Sequence, residues 1–204
     1  MAREKFELRR GGLMAAALFG LVLLPGGCRL VGDLSMGQGG PPPAATMVAL
    51  PSSAVVVAVK SRVVSFQPDG AKGWTFSLPD GEAIVAAPVA ALSSVTYVRG
   101  QQTLYAIAPD GVALWQSRHQ GANDSINGLT PLSDSTVAIT QEDKSLVAFD
   151  DKGQVKWTYN LPEGEKIVAP PVLAASSLVY LRTASTLYAI DSGGNLAWKT
   201  GIED

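Results

Sequence analysis

Apolar and small residues recur along this chain in short alternating blocks. Val63, Leu104, Leu146 and Leu187 each stand seven residues before a glycine, Phe66, Ile107, Phe149 and Ile190 four before it, and Ser65, Ala106, Ala148 and Ala189 lie between. Alternation with a period of two predicts a strand, and the small residues mark where neighbouring structure approaches closely. The glycines, Gly70, Gly111, Gly153 and Gly194, close turns such as Pro68-Asp69-Gly70 and Asp151-Lys152-Gly153. There glycine supplies the positive φ that a tight hairpin requires. A tryptophan follows each glycine by four residues, so Trp74, Trp115, Trp157 and Trp198 fall 41, 42 and 41 residues apart.

Upstream of each block lie two more β-rich runs: Val48-Ala49-Leu50 then Val55-Val56-Val57, Val89-Ala90-Ala91 then Thr96-Tyr97-Val98, and Val172-Leu173-Ala174 then Leu178-Val179-Tyr180. The third unit offers Leu132, then Val137-Ala138-Ile139, one residue shorter. Four strands in about 41 residues describe one blade of a β-propeller, so the predicted fold is all-β, with four antiparallel four-stranded blades over about 46–84, 85–126, 127–167 and 168–204. A larger period is overlaid, since residues 74–116 align without a gap onto 157–199 with 23 of 43 positions identical. The chain reads as a duplicated pair of blades.

The segment Leu187-Tyr188-Ala189-Ile190-Asp191, with Gly194 and Trp198, and its copy Leu104-Tyr105-Ala106-Ile107 with Trp115, resembles the repeats of pyrroloquinoline-quinone-type (PQQ-like) β-propellers. That resemblance covers residues 46–204 and implies that Trp74, Trp115, Trp157 and Trp198 are structural, each docking its blade on the next. The alanine-to-tryptophan spacing of nine departs from the family's longer turn, which carries a Thr-Gly step. A more distant resemblance is to the propeller lipoproteins of the outer-membrane barrel-assembly machine, which implies loops presented to a protein partner.

The first 27 residues read as an export signal. A basic stretch ends in Leu8-Arg9-Arg10, the apolar run Leu13 to Leu24 follows, and Pro25-Gly26-Gly27 leads to Cys28. Twelve apolar residues fall short of the roughly 20 that a spanning helix needs. Cys28 is the only cysteine, so no intrachain disulfide forms. Its setting resembles the lipobox of bacterial lipoproteins, although Pro25 stands where that family prefers leucine, and implies cleavage before Cys28 and its acylation. Arg29 in place of Asp removes the inner-membrane retention signal of enteric lipoproteins, so the expected location is the cell envelope, on the periplasmic side of the outer membrane. Residues 28–45, with Gly39-Gly40-Pro41-Pro42-Pro43, then form a flexible tether. The leader holds four of the 16 basic and two of the 18 acidic residues, which leaves a body of net charge −4. Nucleic-acid binding rests on clustered Lys and Arg and is not expected here.

Chemistry-bearing constellations are sparse. The quinone-dependent dehydrogenases of this architecture hold their cofactor in an eight-bladed ring over a calcium, with a catalytic aspartate nearby, and no such apparatus is visible. The acidic residues Asp69, Asp110, Asp150-Asp151 and Glu142-Asp143 fall at hairpin tips and read as solvated turn formers. Calcium takes about six or more oxygens from a shaped loop, and each repeat offers one or two. His119 is the only histidine, so neither a zinc site nor a Ser-His-Asp arrangement finds support. The irregular loop that follows it, Gln120 to Asn127, breaks the repeat. The sequence therefore predicts no enzyme, no cofactor and no metal. It points to an envelope scaffold that binds a protein partner, with a quinone-dependent oxidoreductase (or a fragment of one) and a glycan or small-molecule sensor as alternatives.

Four such blades leave two terminal faces uncovered. Two chains completing an eight-bladed ring, a small closed ring, or a fragment of a larger parent all answer that, with the homodimer and the fragment weighted above the closed ring.

Overall fold

The chain's computed structural model describes residues 47–120, 125–133 and 135–202. Cys28, the leader and the tether lie outside the described residues. The first blade comprises β1 (Met47–Ala49), β2 (Val55–Val59), β3 (Arg62–Phe66) and β4 (Lys72–Ser77). The second holds β5 (Val89–Ala90), β6 (Thr96–Arg99), β7 (Thr103–Ile107) and β8 (Ala113–Arg118). The third holds β9 (Leu129–Ser133), β10 (Thr136–Gln141), β11 (Ser145–Phe149) and β12 (Val155–Asn160), and the fourth β13 (Val172–Leu173), β14 (Val179–Arg182), β15 (Thr186–Ile190) and β16 (Leu196–Gly201). Each sheet is a four-stranded antiparallel meander in chain order. The fold is therefore the all-β propeller-blade architecture that the repeat predicts, and its sheets form an open arc rather than a closed ring.

The outer hairpins show how the sequence dictates this. In each, the residue three before the glycine accepts the glycine's N–H, as in Gly111 to Ala108 at 2.9 Å, and donates its own N–H one residue past the glycine, as in Ala108 to Val112 at 2.8 Å. This is a type I turn followed by one left-handed residue, and Gly70, Gly111, Gly153 and Gly194 hold φ between 73° and 88°. The extra residue shifts the register by one, so that Trp115 faces Ala106, Trp157 faces Ala148 and Trp198 faces Ala189. In the first blade Ser65 takes the small position, and its Oγ accepts the Trp74 N–H at 2.9 Å.

Alternation then divides each middle strand between two cores. Tyr105 and Ile107 of β7 pack toward the first blade with Val56, Val63 and Leu78, while Leu104 and Ala106 pack toward the third with Val137, Ile139 and Phe149. A third core joins Ala138, Leu146 and Ala148 to Leu181, Tyr188 and Ile190 of the fourth blade. Arg99 crosses the second seam fully buried, its Nη1 donating to Gly128 O at 2.9 Å and Thr140 Oγ1 at 3.2 Å.

The structure extends one local expectation and corrects another. Leu132, the inner residue read in the third unit, lies in β9, which has five residues, more than any other inner strand. Its Thr130-Pro131 step reads as loop in sequence, but proline is tolerated on an edge strand and Thr130 Oγ1 donates to Pro171 O at 2.7 Å. Asp143, expected to be a solvated hairpin tip, is 7% exposed. Its carboxylate accepts the N–H groups of Ser125 and Ile126 at 3.1 and 3.2 Å and the Ser125 hydroxyl, which pins the end of the irregular loop.

Candidate interaction surfaces

Strand order places β1, β5, β9 and β13 side by side along the inner edge of the arc. At the end that carries the hairpins between first and second strands, they line an apolar recess of about 740 Å³. Ala49, Ala90, Pro131 and Leu173 come one from each inner strand, and Leu92, 83% exposed, stands in the wall. Among the described residues of its lining, Ser133 alone is polar. Such a surface offers apolar area and a few backbone groups to a partner. Each contributing run is a short apolar segment, and the recess exists only because four segments about 41 residues apart converge.

A second, polar recess of about 420 Å³ lies at the opposite end, between the linker after β4 and the β6–β7 hairpin. Asp80, Glu82, Gln101, Gln102, Gln116 and Arg118 surround it. Glu82 is committed to structure: Oε1 accepts the N–H groups of Gln102 and Thr103 at 2.6 and 2.9 Å, and Oε2 accepts the Tyr105 hydroxyl at 2.8 Å. Burial and this carboxylate push the Tyr105 phenol up to about 12. The duplication repeats the latch in the fourth blade, where the Tyr188 hydroxyl donates to Glu165 Oε1. Tyr188 also rises to about 12, through burial and that bond, and the same bond holds Glu165 below its ordinary range. Sequence reasoning missed both latches, although the matching spacing Glu82 to Tyr105 and Glu165 to Tyr188 signals them.

The turn aspartates serve their own hairpins. Asp150 Oδ1 accepts from the N–H groups of Lys152 and Gln154, and Asp191 Oδ1 from Gly193 and Asn195, at 2.8 to 2.9 Å. Those backbone donors lower both carboxyl groups. His119 follows β8, its backbone N–H donating to Gln102 O at 2.9 Å and its ring Nδ1 lying 3.3 Å from Gln120 O. Among the described residues, no three of His, Cys, Asp and Glu come together as a metal site.

The structure places three of the four tryptophans on glycines of the following blade. A methyl group at Gly111 would stand 2.5 Å from the Trp74 side chain, one at Gly153 2.7 Å from Trp115, and one at Gly194 2.6 Å from Trp157. Trp157 also donates its indole N–H to Ser192 O at 3.1 Å. Trp198 is 41% exposed, and the equivalent space at Gly70 is empty to 4 Å.

Blades of this geometry define a β-propeller of the PQQ-like repeat class. More particularly, the chain belongs to the family described as outer membrane protein assembly factor BamB, which matches it over residues 47–204. Among solved structures, BamB from Moraxella catarrhalis is similar at 20% identity, with 74% of this chain and 50% of that chain covered and a TM-score of 0.60. Virginiamycin B lyase from Staphylococcus aureus is similar at 12% identity, covering 78% and 54%, with a TM-score of 0.63. The Pan2 WD40 domain from Neurospora crassa is similar at 16%, covering 78% and 49%, with a TM-score of 0.59. The chain thus spans about half the length of the structures it matches. No curated protein matches it in sequence. A lyase stands among the similar folds, so the fold by itself does not decide whether a member is an enzyme.

Proposed function

We propose that this chain is a non-enzymatic scaffold of the bacterial cell envelope that binds a protein partner and serves outer-membrane protein assembly. Membership of the assembly-factor family supports the setting, and the apolar recess along the inner strands supports the mode of action. That recess is the observation that carries the reading: it is concave, lined almost wholly by apolar side chains among the described residues, and built from all four blades. Surfaces of this kind recognise apolar protein segments, whose burial contributes about 25 cal/mol per Å².

In this reading residues 1–27 are a leader, Cys28 carries the lipid, residues 28–45 are the tether, and 46–204 form the propeller blades. Trp74, Trp115, Trp157 and Trp198 dock blade on blade, a role supported by the glycine contacts of the first three. The test is a photo-crosslinking amino acid at Leu92 in living cells, with the exposed Val155 at the start of β12 as control. Crosslinks from Leu92 to a component of the assembly machinery, with fewer folded outer-membrane proteins in a Leu92→Asp strain, are the expected result. Labelled fatty acid should enter the wild-type chain and not Cys28→Ala. A silent Leu92, with unchanged outer-membrane proteins in the Leu92→Asp strain, would overturn the scaffold reading.

A further inference from the structure

The polar recess between the first two blades is rimmed by side chains that the fold does not use. Gln116 pairs with Tyr105 and Arg118 with Thr103 across β7 and β8, so both stand on the face turned toward the first blade. Gln101 and Gln102 reach the same recess from the β6–β7 hairpin, and Asp80 from the turn after β4. Among the described residues, these five side chains have no hydrogen-bond or ion-pair partner. The duplication separates what the seam needs from what it does not. Pro79, Glu82, Thr103 and Tyr105 recur between the third and fourth blades as Pro162, Glu165, Thr186 and Tyr188, and there too the tyrosine donates to the glutamate. Gln101, Gln102, Gln116 and Arg118 do not recur, and Ala184, Ser185, Lys199 and Gly201 stand in their places. Lys199 holds its ammonium over the Tyr188 ring at 5.8 Å, and the recess at that seam measures about 220 Å³ against about 420 Å³. The same latch closes both seams, so the amides and the guanidinium at the first are not demanded by it.

We infer that this recess is a binding site for a short free peptide, a zwitterion with both termini uncapped. Arg118 and Asp80 bring opposite charges to one recess without pairing with each other, which suits a ligand charged oppositely at its two ends. The planar guanidinium donates to the terminal carboxylate, and Asp80 accepts from the terminal ammonium. The three primary amides, each with an acceptor oxygen and a donor NH₂ group, suit the peptide groups in between. Other small polar ligands fit less well. Asp80 and Glu82 repel a free anion, and Tyr105, the aromatic residue of the described lining, is buried and offers a sugar ring no stacking face. A volume of about 420 Å³ falls within the range of small-molecule sites, about 300–1,000 Å³. The site is built from the first two blades alone, at the end opposite the apolar recess, so it does not depend on the scaffold reading.

Equilibrium dialysis of labelled trialanine against the full chain in detergent tests this. Free trialanine should bind, and capping either end, as N-acetyl-trialanine or as trialanine amide, should weaken binding at least about tenfold. Arg118→Gln should lower the affinity for free trialanine by at least about tenfold while leaving that for trialanine amide unchanged, because the amide has no carboxylate to lose. Asp80→Asn should act in the same way at the other end, weakening the free peptide and not the N-acetylated one. Asparagine tolerates the left-handed backbone that Asp80 adopts, so the turn is kept. Glu163→Gln, at the equivalent place in the other seam, should change nothing. No binding of trialanine up to about 10 mM, a concentration that detects even millimolar affinity, would overturn the inference. So would equal binding of free and capped peptides, or an affinity unchanged in both R118Q and D80N.

Discussion

At the scale of the residue, the same side chain carries different weight according to what the next blade offers it. Trp115 packs in the second core and over Gly153, while Trp198 is 41% exposed. Truncating a buried aromatic residue costs about 3–5 kcal/mol through lost transfer energy and the cavity left behind. Trp115→Ala should therefore destabilise by about 3 kcal/mol in urea unfolding, and Trp198→Ala by about 1 kcal/mol or less. The tyrosine latches add a pH signature. Tyr105 and Tyr188 both rise from 10.0 to about 12 on folding, so the folded state holds these protons more tightly. Their contribution is complete below pH 10.0 and is lost as pH climbs toward 12. Glu165 lies below 4.5, so its contribution is present above that pH and fades as acid protonates it. Replacing both tyrosines by phenylalanine should cost about 1.5 kcal/mol per bond at neutral pH, since each donates to a carboxylate. It should also flatten the loss of stability between pH 10 and 12, read from melting temperature against pH; a double variant with an unchanged alkaline limb would show that the latches do not titrate with folding.

At the scale of the element, what was legible in the sequence is what repeats locally. The outer hairpins could be read because glycine, alternation and tryptophan all lie within about a dozen residues, and the left-handed φ at the glycines is a local demand of the turn. The inner strands were harder: β5 and β13 have two residues each, too few for a period, and Thr130-Pro131 resembles a loop until an edge position makes it a strand. The Glu82 latch and the recess were illegible for another reason. One depends on a contact 20 residues away across a blade seam, the other on four segments that each look like ordinary apolar strands. Arg99 belongs to the same class. Its sequence equivalent Arg182 is exposed, whereas Arg99 is fully buried against Gly128 O and Thr140 Oγ1 of the next blade. Hydrogen bonds from a charged donor contribute about 1.5–3 kcal/mol, and leaving their buried acceptors bare adds to the cost. Arg99→Ala should destabilise by about 3 kcal/mol and Arg182→Ala by under about 0.5 kcal/mol, a contrast that a pair of denaturant titrations decides.

At the scale of the whole molecule, an arc of blades is held by its seams, and stability in such an array is close to a sum of unit and nearest-neighbour terms. The second and third blades each share two cores, while the first and fourth share one. Local opening should follow that order. The strands β6 and β10 to β11 are buried along nearly their whole length, whereas every residue of β16 is exposed. Amide hydrogen exchange of the dilute chain should therefore be slowest in β6, β7, β10 and β11, and at least about tenfold faster in β2, β3, β14 and β15, whose middle-strand positions are otherwise equivalent. A uniform protection pattern in the dilute chain would mean that the four blades open as a single cooperative unit, and the seams would then no longer be the terms that set local stability.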